Sequence, residues 1–148
     1  MSFAMIIPRK PISSQSKSAR NRENYKLFIA SQARDMFSAT PFTGDLYARI
    51  IWFYKGRYEG DVDNIIKPIL DAIRGIVYQD DRLVVKCASE RFDKTRDITI
   101  PQVNISDNLY EEMLLMIADD AIQHSIYIEI GVATSREVVF GPIDGGII

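Results

Sequence analysis

The chain is poor in the residues that metal clusters and covalent catalysis draw on. Of its 148 residues one is cysteine, Cys87, and one is histidine, His124. A single thiol excludes an internal disulfide, and one Cys with one His cannot build a zinc cluster. There is no Gly-rich phosphate loop and no Ser/His/Asp set for acyl transfer. Long apolar runs are missing too: stretches such as Met113–Ala118 fall far short of the roughly 20 residues needed to cross a bilayer. Phe3–Ile7 is too short for the apolar region of a signal peptide, and no small-residue cleavage site follows it. The expected compartment is therefore the cytoplasm, with no membrane partner. Neither Pro nor Gly is in excess. With 47% hydrophobic and 26% charged residues, the composition is that of a globular protein, not a disordered or fibrous one. A chain of this length buries about two-thirds of its unfolded surface and needs no covalent staples. One domain spanning 1–148 is expected.

A strong charge of either sign is also absent. The net charge of −2 does not advertise a nucleic-acid partner. The total hides a division, because residues 1–60 carry +6 and residues 61–148 carry −8. Such asymmetry suggests a basic surface paired with an acidic site, or an acidic tail.

What is present reads as alternating strands and helices. Ala4–Ile7 predicts a strand closed by Pro8 and Pro11, and Ile12–Arg22 an exposed Ser-rich loop. Apolar residues at helical spacing predict a helix over Glu23–Phe37. Leu46–Tyr54 predicts a strand with Leu46, Ala48, Ile50, Trp52 and Tyr54 on one face, followed by a charged loop from Lys55 to Gly60. A second helix is expected from Asp63, as N-cap, to Ile73. Strands are predicted over Leu83–Phe92 and over Ile98–Ile105, the latter at an edge because of Pro101. Ser106 and Asp107 cap a third helix reaching Ile122; Ser125–Val132 alternates as a strand, and Glu137–Phe140 adds a short one. This order lacks a regular parallel-sheet period and favours α+β: a small mixed sheet with packed helices. Cys87 reads as a small buried hydrophobe, Met113, Met116 and Ile117 as core or dimer interface, and Asp119-Asp120 as solvated surface. Nothing makes His124 a catalyst.

The chemical information is concentrated between Gly60 and Asp81. Five aspartates (Asp61, Asp63, Asp71, Asp80 and Asp81) fall within 21 residues, accompanied by only Lys67 and Arg74 as basic groups. In extended chain Asp61 and Asp63 project to one side. Lys67 then lies one helical turn beyond Asp63, and Asp71 a turn further. If the strand after Asp80-Asp81 pairs beside the one ending near Tyr54, the acidic ends converge. Converging carboxylates repel, and a hard divalent cation is the simplest remedy; oxygen ligands suit Mg²⁺ or Mn²⁺. Each short piece alone is more often a turn or a helix cap; the combination with Lys67 at fixed spacing points to a site.

Gly-Asp-Val-Asp-Asn-Ile-Ile-Lys-Pro-Ile-Leu-Asp-Ala-Ile, followed by Gly-Ile-Val-Tyr-Gln-Asp-Asp, closely resembles the RusA family of Holliday-junction resolvases. The resemblance includes Asp-x-Asp-Asn, a Lys three positions after the Asn, Leu-Asp-Ala-Leu (with Ile73 replacing the last Leu), and a later Asp-Asp. It implies a small Mg²⁺-dependent endonuclease, with Mn²⁺ as possible substitute, of phage or prophage type, acting as a homodimer on branched DNA. Carried over by position, Asp61, Asp63 and Asp81 match the metal-binding carboxylates and Lys67 the catalytic lysine. Asn64, Asp71 and Asp80 match supporting positions, and Arg91 falls where relatives often carry Lys. The sequence departs from the pattern at 93–124, which reads as an insertion containing an extra helix before the last main strand.

Candidate phosphate contacts are Arg9, Lys10, Lys17, Arg20 and Arg22 in the first loop, with Lys55 and Arg57 beside the acidic motif. Tyr58 is a candidate for stacking on an unpaired base. The expected function is paired symmetric cutting of four-way DNA junctions in recombination and repair. The alternative is a non-cleaving junction-binding protein of the same fold. A nucleotidyltransferase is disfavoured because no Gly-Ser phosphate-binding turn precedes the Asp-x-Asp.

Overall fold

Four strands form one sheet, with two helices on one face and a third helix on the other. In the computed structural model the described residues are 2–57, 60–134 and 138–142. The elements are β1 (Ser2–Ile7), α1 (Ala19–Met36), β2 (Leu46–Tyr54), α2 (Ile66–Ile73), β3 (Val84–Asp93), α3 (Asp107–Ala118) and β4 (His124–Val132). The strand order is β1-β4-β2-β3. β4 is antiparallel to both β1 and β2, whereas β2 and β3 run parallel and are joined through α2. A parallel pair cannot be closed by a hairpin and needs such a crossover. The sheet is mixed and the class is α+β, as the order of elements predicts.

The period of two along β2 sorts its side chains cleanly. Leu46, Ala48, Ile50 and Trp52 face α1 and α2 and are buried with Met5, Ile7, Ile126, Ile128 and Ile130. From α1 come Tyr25, Ile29 and Ala33, and from α2 Ile69, Leu70, Ala72 and Ile73. The opposite face carries Ile6, Phe53 and Tyr127, over which Met113 of α3 packs, flanked by Ile98, Ile100, Ile105 and Leu109. The segment 93–124 thus gives the sheet its second apolar layer.

Several boundaries move. α1 begins at Ala19 and not Glu23, because the Ser18 side chain accepts a hydrogen bond from the Asn21 N–H and caps the helix there. Arg20 and Arg22 therefore sit on a helix, not in a loop. Asp63 is not an N-cap: it lies inside a 3₁₀ turn, Val62–Asn64, which precedes α2. Residues 98–105 form no strand; the segment crosses the second face as irregular chain, and its isoleucines pack there. α3 ends at Ala118, four residues before Ile122, and Lys94 donates to the backbone carbonyls of Asp119 and Ile122 just beyond its C-terminus. Of the expected last strand, residues 138–140 are irregular and exposed; Glu137 lies outside the described residues, as does Tyr58. Cys87 is exposed, not buried, because β3 is an edge strand. Among the described residues no helix is long and apolar enough to cross a membrane.

Candidate active site

The parallel pairing of β2 with β3 sets where the acidic motif can meet. Leu46 pairs with Val84 and Tyr54 with Asp93, so Asp80 and Asp81 enter β3 beside the start of β2 and not beside its end. Those two ends are roughly 25–30 Å apart at about 3.3 Å per residue. The expected convergence next to Tyr54 is therefore replaced by a different route. After Tyr54 the chain folds back, and the Val62 carbonyl accepts a hydrogen bond from Ser89 Oγ at 2.7 Å, level with Ile50. α2 then runs toward the start of β3 and brings its polar face to Asp81.

There the side chains form a closed set. Lys67 Nζ donates to Asp71 Oδ1 at 2.8 Å and to Asp81 Oδ2 at 3.0 Å. Arg74 Nη1 donates to the same Asp81 Oδ2 at 3.0 Å, and the Tyr78 hydroxyl donates to Asp81 Oδ1 at 2.6 Å. The spacing of four from Lys67 to Asp71 places both on one helical face. The hydrogen bond from Tyr78, then Lys67 and Arg74, hold the Asp81 carboxyl below the usual range against the opposing effect of burial. Hydrogen bonds to Asp71 and then Asp81 push the Lys67 ammonium up, which favours its charged form.

The remaining motif residues are placed around this set. Asp80 caps the 3₁₀ turn Asp81–Leu83 by accepting from the Arg82 N–H at 3.0 Å, which fixes the turn that presents Asp81. The Asn64 carbonyl accepts from the Ser14 N–H at 2.7 Å, tying the first loop to the Asp61–Asn64 turn. Asp61 and Asp63 are exposed. Their oxygen donors suit a hard divalent cation in chemistry. The carboxylates are not gathered in advance, however: among the described residues no group of three or more His, Cys, Asp or Glu is disposed to hold a metal ion.

The predicted phosphate contacts are dispersed. Arg22 lines a cleft of about 410 Å³ together with Lys26, Lys67, Arg74, Glu23 and Asp71. The Arg9 guanidinium lies 4.7 Å over the Phe28 ring, and Lys55 pairs with Asp120 at 3.5 Å. Lys10 borders a separate depression with His124. Lys17, Arg20 and Arg57 are exposed. His124 Nδ1 accepts from Trp52 Nε1 at 3.1 Å, a structural role. The sequence pattern names Arg74 in the motif without a role, and marks neither Lys26 nor Tyr78. The helical spacing 67-71-74 was a usable signal for Arg74; nothing local marks Tyr78, whose hydroxyl meets Asp81 only because of the turn between them.

A short α+β fold with a carboxylate–lysine cluster at the mouth of its crossover helix is thus on hand. Compared with known families, residues 8–106, about two-thirds of the chain, match the RusA family, described as endodeoxyribonuclease RusA. The chain belongs to the RusA endodeoxyribonuclease family. The matched span takes in every residue of the acidic motif and stops at Ser106, the N-cap of α3. No curated protein matches the chain.

Proposed function

We propose that the protein is a Mg²⁺-dependent, structure-selective endodeoxyribonuclease that resolves four-way DNA junctions by paired symmetric cuts in recombination and repair. The observation that carries this reading is the set formed by Lys67, Arg74 and Asp81 within the family-matched segment, opening on a cleft lined by Arg22 and Lys26. Asp61, Asp63 and Asp81 would hold the cation, which supplies polarisation of the phosphodiester and a lowered pKa for the attacking water. Lys67 and Arg74 place positive charge where the pentavalent transition state gathers negative charge. Asn64, Asp71 and Asp80 support: Asn64 holds the first loop, Asp71 orients Lys67, and Asp80 caps the turn bearing Asp81. Arg22, Lys26 and the exposed Lys17 and Arg20 supply phosphate contacts. A junction has approximate twofold symmetry, and a C2 homodimer is the simplest source of two cuts.

The test incubates purified protein with labelled four-way junction, linear duplex and flap DNA, with Mg²⁺ or EDTA. Symmetric junction cuts only with metal, lost in Asp63→Asn with binding largely spared, are expected. Equal cutting of linear duplex would defeat the resolvase reading. Junction binding without any cutting would favour the non-cleaving alternative, to which the ungathered carboxylates lend some weight.

A further inference from the structure

We propose that Tyr78 and Arg74 are positioning residues for Asp81, with the buried Tyr78 hydroxyl as the fixed anchor; this rests on the metal-nuclease reading above. Tyr78 is wholly buried, and its ring belongs to the main core. Its backbone is fixed as well: Gly75 donates to the Tyr78 carbonyl at 2.6 Å, and Phe42 donates to the Val77 carbonyl at 2.8 Å. Gly75 at φ +83° makes the tight turn that returns the chain to this point.

The hydroxyl touches two acceptors, the Leu70 carbonyl at 3.0 Å and Asp81 Oδ1 at 2.6 Å. One O–H has one proton to give. Of the two acceptors Asp81 is the closer and the charged one, so the proton goes to it. Asp81 is thereby tied by one oxygen to the core, while its other oxygen faces the half-exposed cations Lys67 and Arg74. Ion pairs on a half-exposed surface add little to stability. The value of the arrangement lies in the direction it gives the carboxylate: Oδ1 is held, and Oδ2 is presented toward the cleft side of α2, where a cation can take the place of an ammonium.

The experiment measures Mn²⁺ binding to the DNA-free full-length protein by electron paramagnetic resonance, alongside thermal melting and junction cleavage. Tyr78→Phe keeps the ring and removes the hydroxyl. It is expected to weaken Mn²⁺ binding by about tenfold, the lower end for loss of an outer-shell partner, and to raise the Mg²⁺ concentration for half-maximal cleavage in step. DNA affinity should not change. Arg74→Ala should shift the same metal dependence. Phe42→Leu, a core change against the Tyr78 segment, serves as the control that loosens packing without touching the hydroxyl. Wild-type Mn²⁺ affinity in Tyr78→Phe, or equal loss in Phe42→Leu at a matched fall in melting temperature, overturns the proposal and leaves the nuclease reading standing. Failure of the wild type to bind Mn²⁺ overturns both.

Discussion

Lys67 shows how much a residue's role depends on its neighbours. Bonded to Asp71 and Asp81, it is favoured as an ammonium, which can neutralise developing charge. Lys67→Met should slow junction cleavage by about a hundredfold or more, while filter binding gives a Kd within about threefold of wild type, since one phosphate contact among many is a small share. A large loss of binding would mean that Lys67 is a tether. A second residue-scale expectation concerns Tyr47, whose hydroxyl donates to Glu129 Oε2 at 2.5 Å. Burial first, then this hydrogen bond, pushes its pKa from 10.0 up to about 12. The folded state thus favours the neutral phenol. The stability this contributes is complete below 10 and is lost as pH climbs toward 12. Phenolate absorbance should show Tyr47 ionising late in the wild type and earlier in Glu129→Gln; an unchanged titration would remove Glu129 as a cause.

At the scale of elements, β4 is the strand on which the sheet depends, because it pairs with both β1 and β2. Gly131 is required there: a Cβ at this position would meet Tyr47 Cε1 at 2.5 Å. Gly131→Ala should cost about 1–3 kcal/mol in urea unfolding by overpacking, and the cost should largely vanish in a Tyr47→Ala background. Additive losses would show that the ring is not the obstacle. The long elements were legible in sequence because burial imposes its period: β2, α1 and β4 follow from alternating or helical apolar spacing. The 98–105 segment forms no strand because Ile98, Ile100 and Ile105 are apolar for a different reason. They cover the second face of the sheet as irregular chain, which Pro101 and Asn104 (φ 57°) accommodate.

For the whole molecule, the charge division matters more than the total. The cleft gathers Arg22 and Lys26 from the basic N-terminal portion with Lys67 and Arg74 from the acidic portion. Arg22→Ala and Lys26→Ala should each reduce the slope of log binding constant against log salt by roughly 1, without changing preference among junction sequences. A changed preference with an unaltered slope would place these side chains away from phosphate. α3 packs over the sheet face opposite this cleft, so most of its acidic residues lie away from the proposed DNA path.

The sequence by itself determined the fold class, the presence of the main elements and the identity of the acidic motif, because hydrophobic period and local spacing are one-dimensional properties. It also placed Lys67 against Asp71, a contact within one helical turn. Only the tertiary structure decided that β2 and β3 run parallel, and hence that Asp81 enters β3 beside the start of β2. The same crossover brought Arg74 and the buried Tyr78 hydroxyl onto Asp81, and set Arg22 and Lys26 of α1 along one cleft with Lys67 and Arg74. The cleft joins residues distant in sequence through packing and strand direction, which no local spacing encodes, whereas Tyr78 meets Asp81 across a turn of three residues once its ring is buried.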